Sequence, residues 1–171
     1  HDITLPALML DGSRCTGIYT WNAEFVNCRF SEIPYVYNVK IRGHHSRVEN
    51  CLFTNMDWWA HPGGGGAELG NIARYVTFEN SKIGGLGGSP LMEYCRIEDF
   101  KDPCDCSGIN KGAHGAPRSM TRYNWIINGP GANGMRIDGG ATGAGNRRGD
   151  IHHIVTIGNN RGMRLKGDYH D

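Results

Sequence analysis

One short pattern recurs along the whole chain and constrains its fold more than any other feature. The clearest copy is Val48-Glu49-Asn50-Cys51-Leu52-Phe53, which ends in apolar residues at alternate positions. Further copies lie at residues 26–30, 78–83, 92–97, 122–127 and 152–157. A period of two indicates a β-strand with one buried face. Recurrence every 20 to 50 residues, roughly, is typical of a solenoid, a propeller or an array.

The spacing of these copies favours a solenoid of short strands. The residues expected to point into the core are Cys28, Cys51, Ser81, Cys95, Trp125 and Val155. Their intervals of 23, 30, 14, 30 and 30 residues are shorter than a propeller blade of about 40–45 residues. Strong helix formers are too sparse for helical repeats, so a parallel β-helix fits best. The interval of 14 leaves two alternatives: Ser81 is out of register, or that coil is truncated.

A second pattern, polar–apolar–polar–Gly, supports the same register. It is complete at residues 40–43, 136–139 and 164–167, and shortened copies lie at residues 68–70 and 110–112. Such a pattern is typical of a strand with a buried middle residue and flanking residues that face solvent. The 26 glycines among 171 residues suit many tight turns. We therefore predict an all-β solenoid of about six coils, which forms a single domain over residues 1–171 or a fragment of a longer solenoid.

Four asparagines precede or lie within copies of the first pattern. Stacked Asn amides at a bend can hydrogen-bond to one another along the solenoid axis. We predict such a ladder from Asn27, Asn50, Asn80 and Asn124.

Charge and hydropathy exclude several partners. The net charge is +1, which gives no field suited to nucleic acid. No apolar run reaches the roughly 18 residues that would span a membrane. The chain does not begin with a signal peptide, so we expect a processed mature protein or a piece of a larger one.

The six cysteines fall into two groups. Cys28, Cys51 and Cys95 occupy the repeated inward position, where we expect them to act as small buried apolar groups. Cys15, Cys104 and Cys106 lie outside the pattern. Two alternatives stay open for them: a disulfide from Cys15 to Cys104 or Cys106, or free thiols. The redox compartment stays open as well.

Two segments carry a resemblance to a known family. Residues 43–53 have the outline Gly-x-x-x-x-Val-x-Asn-Cys-x-Phe, and residues 122–126 with 133–139 form a later coil of the same type. In these segments the chain resembles the right-handed parallel β-helix proteins of the pectate-lyase-like superfamily, among them polysaccharide lyases and glycoside hydrolases with degenerate repeats. The likeness covers about Arg14 to Asp171. It implies a secreted or cell-surface protein that binds or degrades a polysaccharide.

The chain departs from the catalytic motifs of that superfamily. It lacks the clustered aspartates and the Arg-x-Pro-x-x-Arg stretch of pectate lyases, and the paired aspartates of polygalacturonases. The resemblance therefore implies no specific catalytic set. A calcium cofactor is implied by resemblance alone, and no metal ligands are assigned.

The outward positions of the second pattern form the candidate binding surface. Successive coils lie about 4.8 Å apart, so these side chains would form one polar stripe. Its Arg and Lys residues suit the carboxylates or sulfates of an acidic polysaccharide, although an ordinary solvated sheet face is the alternative. The predicted substrate-binding residues in this stripe are Lys40, Arg42, Glu68, Asn110 and Asp138.

A lyase is favoured over a hydrolase if the protein is an enzyme. A lyase needs a cation for the uronate carboxylate, a base for the C5 proton and an acid for the leaving oxygen. The predicted catalytic residues are Arg136 and Arg164 as cations, with Lys111, Lys166 or His114 as the base. A hydrolase needs two carboxylates about 5–10 Å apart, and Glu68 lies several coils from Asp138.

A Gly-rich loop offers further binding residues. Trp58, Trp59 and His61 precede a run of four glycines. The two tryptophans would form a sugar-stacking platform or cover the side of a coil.

The alternative to a carbohydrate-active protein is a structural one. A solenoid exposes strand edges at both ends unless these are capped, and such edges pair with other chains. No amphipathic capping helix is evident at either end. The second prediction is therefore a non-catalytic β-helix that associates end to end in a fibre or belongs to a larger adhesin.

Overall fold

The structure is a computed structural model, and it describes residues 2–4, 18–32, 39–56, 67–81, 86–87, 89–100, 107–111, 119–138 and 149–166. Over these ranges the protein is all-β, with eighteen strands and no helix. In chain order the strands are β1 (Asp2–Thr4), β2 (Ile18–Trp21), β3 (Glu24–Val26), β4 (Arg29–Ser31), β5 (Val39–Arg42), β6 (Arg47–Glu49), β7 (Leu52–Met56), β8 (Ala67–Leu69), β9 (Ile72–Arg74), β10 (Thr77–Ser81), β11 (Leu86–Gly87), β12 (Leu91–Glu93), β13 (Arg96–Glu98), β14 (Ser107–Lys111), β15 (Met120–Ile127), β16 (Asn133–Asp138), β17 (Asp150–Ile157) and β18 (Arg161–Lys166).

The strands form two sheets in which the pairing is parallel. The seven-stranded sheet has the order β18-β16-β14-β11-β8-β5-β2. The eleven-stranded sheet consists of two columns joined by β15, whose first half pairs with β12 and whose second half pairs with β13. Each strand pairs with its counterpart one repeat away, as in a β-helix or another solenoid. The predicted all-β class and parallel repeat pairing are confirmed.

The register of the eleven-stranded sheet corrects the predicted inward column. Residue 29 pairs with 52, 52 with 77, 77 with 96, 96 with 125 and 125 with 155, so successive repeats have 23, 25, 19, 29 and 30 residues. Ser81 was therefore out of register, and the coil is not reduced to 14 residues. The prediction was also wrong for Trp125, which is 48% exposed, and for Val155, because each lies one position past the inward residue. The residues that precede these paired positions are Cys28, Cys51, Val76, Cys95, Asn124 and Ile154.

The predicted register of the eleven-stranded sheet was wrong because each repeat has two corners on this sheet with the same backbone conformation. Both corners hold a residue at positive φ, a region that non-glycine residues seldom adopt and that Asn adopts more readily than most. The first corner holds Asn27, Asn50, Tyr75, Tyr94, Tyr123 and His153. The second holds Glu32, Asn55, Asn80, Asp99, Asn128 and Gly158. Asn80 resembles Asn50 in sequence, but it lies at the other corner.

The single predicted Asn ladder is therefore two ladders. At the first corner, Asn50 Nδ2 donates to Asn27 Oδ1 over 2.6 Å, as predicted. At the second, Asn80 Nδ2 donates to Asn55 Oδ1 over 2.6 Å. Asn124 belongs to neither, because it is fully buried and its Oδ1 accepts from the Cys95 backbone N–H over 2.8 Å. The prediction was wrong for Asn80 and Asn124.

A stack of aromatic rings fills the core between the sheets. Phe30 and Phe53 lie 4.5 Å apart between ring centroids, and Phe53 and Phe78 lie 5.8 Å apart. All three are fully buried, and Ile97 and Ile126 continue the column. Burial of one such side chain contributes about 1.5–3 kcal/mol relative to exposure.

The described cysteines agree with the predicted packing role. Cys51 and Cys95 are buried, Cys28 is half-buried, and all three are free thiols. Burial raises the pKa of the Cys51 thiol, although hydrogen bonds with the backbone of Cys28 and Glu49 oppose this shift. Cys15, Cys104 and Cys106 lie outside the described residues.

Candidate functional site

The seven-stranded sheet carries the predicted polar stripe in the predicted register. Lys40 pairs with Glu68, Asn110 with Arg136, and Arg136 with Arg164. Two further positions of this column were not predicted. Tyr19 pairs with Lys40 at one end, and Gly87 lies between Glu68 and Asn110. We call this column, from Tyr19 to Arg164, the polar stripe.

In the half of the stripe nearest the N-terminus, Glu68 pairs with two cations and offsets one of their two positive charges. Lys40 Nζ lies 2.7 Å from Glu68 Oε1, and Arg42 Nε lies 2.7 Å from Glu68 Oε2. Burial alone would raise the pKa of Glu68, but hydrogen bonds from Arg42 and Lys40 and their charges outweigh it and lower that pKa. Lys40 is only 6% exposed, so its charge is largely withdrawn from solvent. Glu68 is thus an ionised acceptor that already has two donors.

The other half of the stripe is cationic. Arg136 and Arg164 are direct Cα partners on β16 and β18. Arg136 is 8% exposed and Arg164 is half-buried. Asn110, the next position, is half-buried and uncharged. Of the predicted site residues, these three come together on adjacent strands.

The remaining predicted residues have different positions. Lys111 is the Cα partner of Ile137, so it is one residue out of phase with the stripe. Asp138 and Lys166 are Cα partners, two residues beyond Arg136 and Arg164. Trp58, Trp59, His61 and His114 lie outside the described residues.

A second polar ladder, which the sequence did not predict, lies on the eleven-stranded sheet. Glu93 is buried at 3% exposure. Its Oε1 accepts from Arg74 Nε over 2.6 Å, and its Oε2 accepts from Arg122 Nε over 2.7 Å. Burial would raise the pKa of Glu93, but the hydrogen bonds from Arg122 and Arg74 outweigh it and lower the pKa. This ladder ties three successive repeats together.

Beside it, the first corner carries a stack of aromatic side chains. Ring centroids lie 5.1 Å apart for Tyr75–Tyr94 and for Tyr94–Tyr123, with nearly parallel planes. His153 continues the stack at 4.8 Å from Tyr123. Tyr75 and Tyr94 are about half exposed. The signal in the sequence is a Tyr at the first-corner position in three successive repeats.

A shallow groove of about 410 Å³ begins where this stack ends. Its lining residues come from three successive repeats and are Asn27, Cys28, Arg29, Asn50, Cys51, Leu52, Tyr75 and Thr77. We call it the corner groove.

The described ranges show neither a metal-binding cluster nor a membrane-spanning helix. No group of three or more His, Cys, Asp or Glu side chains there is arranged to hold a metal ion. None of the described segments forms a helix with the length and apolar character needed to cross a membrane.

Comparisons with known proteins identify no relative. No family model matches the chain, and no significant match was found among curated proteins or solved structures.

Proposed function

We propose that this protein is a right-handed parallel β-helix that binds an acidic polysaccharide along the polar stripe. The parallel pairing of strands one repeat apart supports the winding, because crossovers between parallel strands of one sheet are right-handed in about 98% of cases. A crystal structure with left-handed coils would refute this part. Because such polymers occur outside the cell, this proposal includes a secreted or cell-surface location.

The observation that carries the ligand class is the direct pairing of Arg136 with Arg164. Like charges at directly paired positions destabilise a sheet. A carboxylate or sulfate bound to both guanidinium groups would offset that repulsion, and guanidinium binds such groups in bidentate geometry. Lys40 and Arg42 already share Glu68 as a carboxylate partner, and Arg136 and Arg164 are adjacent on β16 and β18. We therefore expect anionic groups of the polymer to bind at the Arg136 end.

The reaction that this stripe favours is β-elimination rather than hydrolysis. Glu68 is held ionised by two cations, whereas a hydrolase acid must carry a proton near neutral pH. In β-elimination a base removes the C5 proton, the C4–O bond breaks as the C4–C5 double bond forms, and the leaving oxygen takes a proton. Arg136 or Arg164 would neutralise the uronate carboxylate. Lys166, on the same strand as Arg164, is the base candidate.

Affinity electrophoresis in gels that contain polygalacturonate, alginate, heparin or carrageenan tests the binding. We expect at least one polymer to retard the wild type and Arg164→Glu to weaken that binding about tenfold, a change of about 1.4 kcal/mol. Arg96→Glu is the matched control, because it changes net charge equally but lies on β13 of the other sheet. Equal losses in both variants, or no retardation by any polymer, would refute a specific site.

The ultraviolet absorbance of unsaturated uronate products tests the reaction separately. Appearance of this absorbance with a polymer that binds, and its loss in Lys166→Ala, would support elimination with Lys166 as the base. Binding without any product would leave a carbohydrate-binding protein and exclude the lyase for the polymers tried.

A structural role is the second candidate, and exposed apolar residues on the last described strand favour it. Met163 and Leu165 are 48% and 56% exposed, whereas their partners Met135 and Ile137 are 0% and 6% exposed. A further strand would cover them, and in an assembly of copies a second molecule supplies it. Light scattering over a range of concentrations tests this role: we expect assembly to grow with concentration and to weaken in Leu165→Lys. A monomer at all concentrations would refute it.

A further inference from the structure

We propose that the corner groove is a second carbohydrate subsite, separate from the polar stripe, which holds one acidic sugar ring against Tyr75. The stripe lies on the seven-stranded sheet, whereas this groove lies at a corner of the eleven-stranded sheet. It would give the protein an additional contact with its polymer or with a chain end.

The first element of the subsite is a fixed ring with one open face. One face of Tyr75 stacks on Tyr94 at 5.1 Å, with 12° between the planes. The preceding residue at this corner is Asn50, whose side chain is much shorter than a tyrosine ring. The outer part of the Tyr75 ring therefore projects past Asn50 into the groove, and Tyr75 is 51% exposed. The stack behind it restricts the ring to one orientation before any ligand binds.

The second element is a set of polar groups beside that ring. The amides of Asn27 and Asn50 form one wall of the groove, joined by their 2.6 Å hydrogen bond. Arg29, Leu52 and Thr77 are Cα partners on β4, β7 and β10, and they form the opposite wall. Arg29 is exposed, and its Cα partner on β1 is Asp2. The groove thus combines an aromatic face, amides, a hydroxyl and one cation.

This combination matches the two sides of a pyranose ring. The C–H groups of a sugar face are apolar and pack on an aromatic ring, while its hydroxyls lie at the rim and need hydrogen-bonding partners. The Asn amides can both donate and accept. Arg29 selects a ring that bears a carboxylate or sulfate. The expected ligand is therefore a uronate or a sulfated pyranose.

Variants at Tyr75 can be chosen so that the backbone is preserved. Tyr75 has a φ of 53°, and Asn tolerates this region well. Tyr75→Asn removes the ring while it repeats the residue found at Asn27 and Asn50. Tyr75→Phe keeps the ring face. Tyr123→Asn is the matched control, because it makes the same change at a corner position that does not line the groove.

Calorimetric titration with trigalacturonate, in an Arg164→Glu background that weakens binding at the stripe about tenfold, tests the subsite. We expect Tyr75→Asn to weaken binding about tenfold, while Tyr75→Phe and Tyr123→Asn change it less than about threefold. Arg29→Gln should weaken binding of trigalacturonate but not of its methyl ester. No binding in this background, or equal affinity with and without the Tyr75 ring, would overturn the proposal whatever the outcome at the stripe.

Alkylation of Cys28 provides a second readout at the same place. Cys28 lines the groove and is half-buried. Saturating trigalacturonate should slow its reaction with iodoacetamide, measured by peptide mass mapping, and should not do so in Tyr75→Asn. An unchanged alkylation rate in a protein that binds the sugar would place the sugar elsewhere and overturn the proposal.

Discussion

Replacement of Glu93 by Gln is expected to destabilise the fold far more than a surface charge change. Glu93 is buried at 3% exposure and receives hydrogen bonds from Arg74 and Arg122, at 2.6 and 2.7 Å. Gln keeps the shape, but it loses the charge and turns one acceptor into a donor that faces a guanidinium. Hydrogen bonds to charged groups contribute about 1.5–3 kcal/mol each. Because both arginines are about one-third exposed, water replaces part of this contribution.

We therefore expect a loss of about 2–4 kcal/mol in the free energy of unfolding. In a chain of this size that corresponds to a fall in Tm of roughly 4–16 °C. Urea denaturation followed by circular dichroism measures the loss. Glu98→Gln is the control, because Glu98 pairs with the exposed Arg96 and surface pairs contribute about 0–1 kcal/mol.

The pH dependence gives a second check on Glu93. Its folded-state pKa is lowered, so its contribution is present above the unfolded value of about 4.3 and is lost as pH falls through the folded pKa. The gap between wild type and Glu93→Gln should be full at neutral pH and should shrink below about pH 4.3. A Glu93→Gln protein as stable as Glu98→Gln at neutral pH, or a gap unchanged in acid, would refute the reasoning.

Two further predictions concern packing. Phe53→Ala removes the middle ring of the Phe30–Phe53–Phe78 stack. Urea denaturation should show a loss of about 3–5 kcal/mol in the free energy of unfolding. A loss below about 1 kcal/mol would mean that the core is not packed as described. Gly134→Ala would place a Cβ 2.5 Å from the Gly162 carbonyl oxygen and 2.8 Å from Thr156 Cγ2, so we expect a lower Tm in a thermal melt, and an unchanged Tm would contradict this close approach.

The sequence predicted the seven-stranded sheet better than the eleven-stranded one, for a physical reason. Its repeated pattern ends in a glycine, and Gly43 and Gly70 indeed adopt positive φ at that point. A residue that needs this conformation marks the strand end without ambiguity. The register of the polar stripe could therefore be predicted from the sequence alone. The exceptions are Tyr19 and Gly87, which lack the flanking pattern.

The corner residues could not be aligned in that way. Two corners per repeat require the same conformation, and Asn serves at both, so Asn80 matched the wrong corner. Tyr75, Tyr94 and Tyr123 were missed because Tyr has little intrinsic preference for positive φ. Their mutual stacking joins residues from different repeats and appears only once the register is known.

The most direct test of the central claim is amide chemical-shift mapping by NMR with a short acidic oligosaccharide such as trigalacturonate. If the polar stripe binds the polymer, perturbations should appear on β14, β16 and β18, at and next to Asn110, Arg136 and Arg164. In Arg164→Glu, those at the stripe should require about tenfold more oligosaccharide. Perturbations that spare these three strands, or that persist unchanged in Arg164→Glu, would contradict the claim.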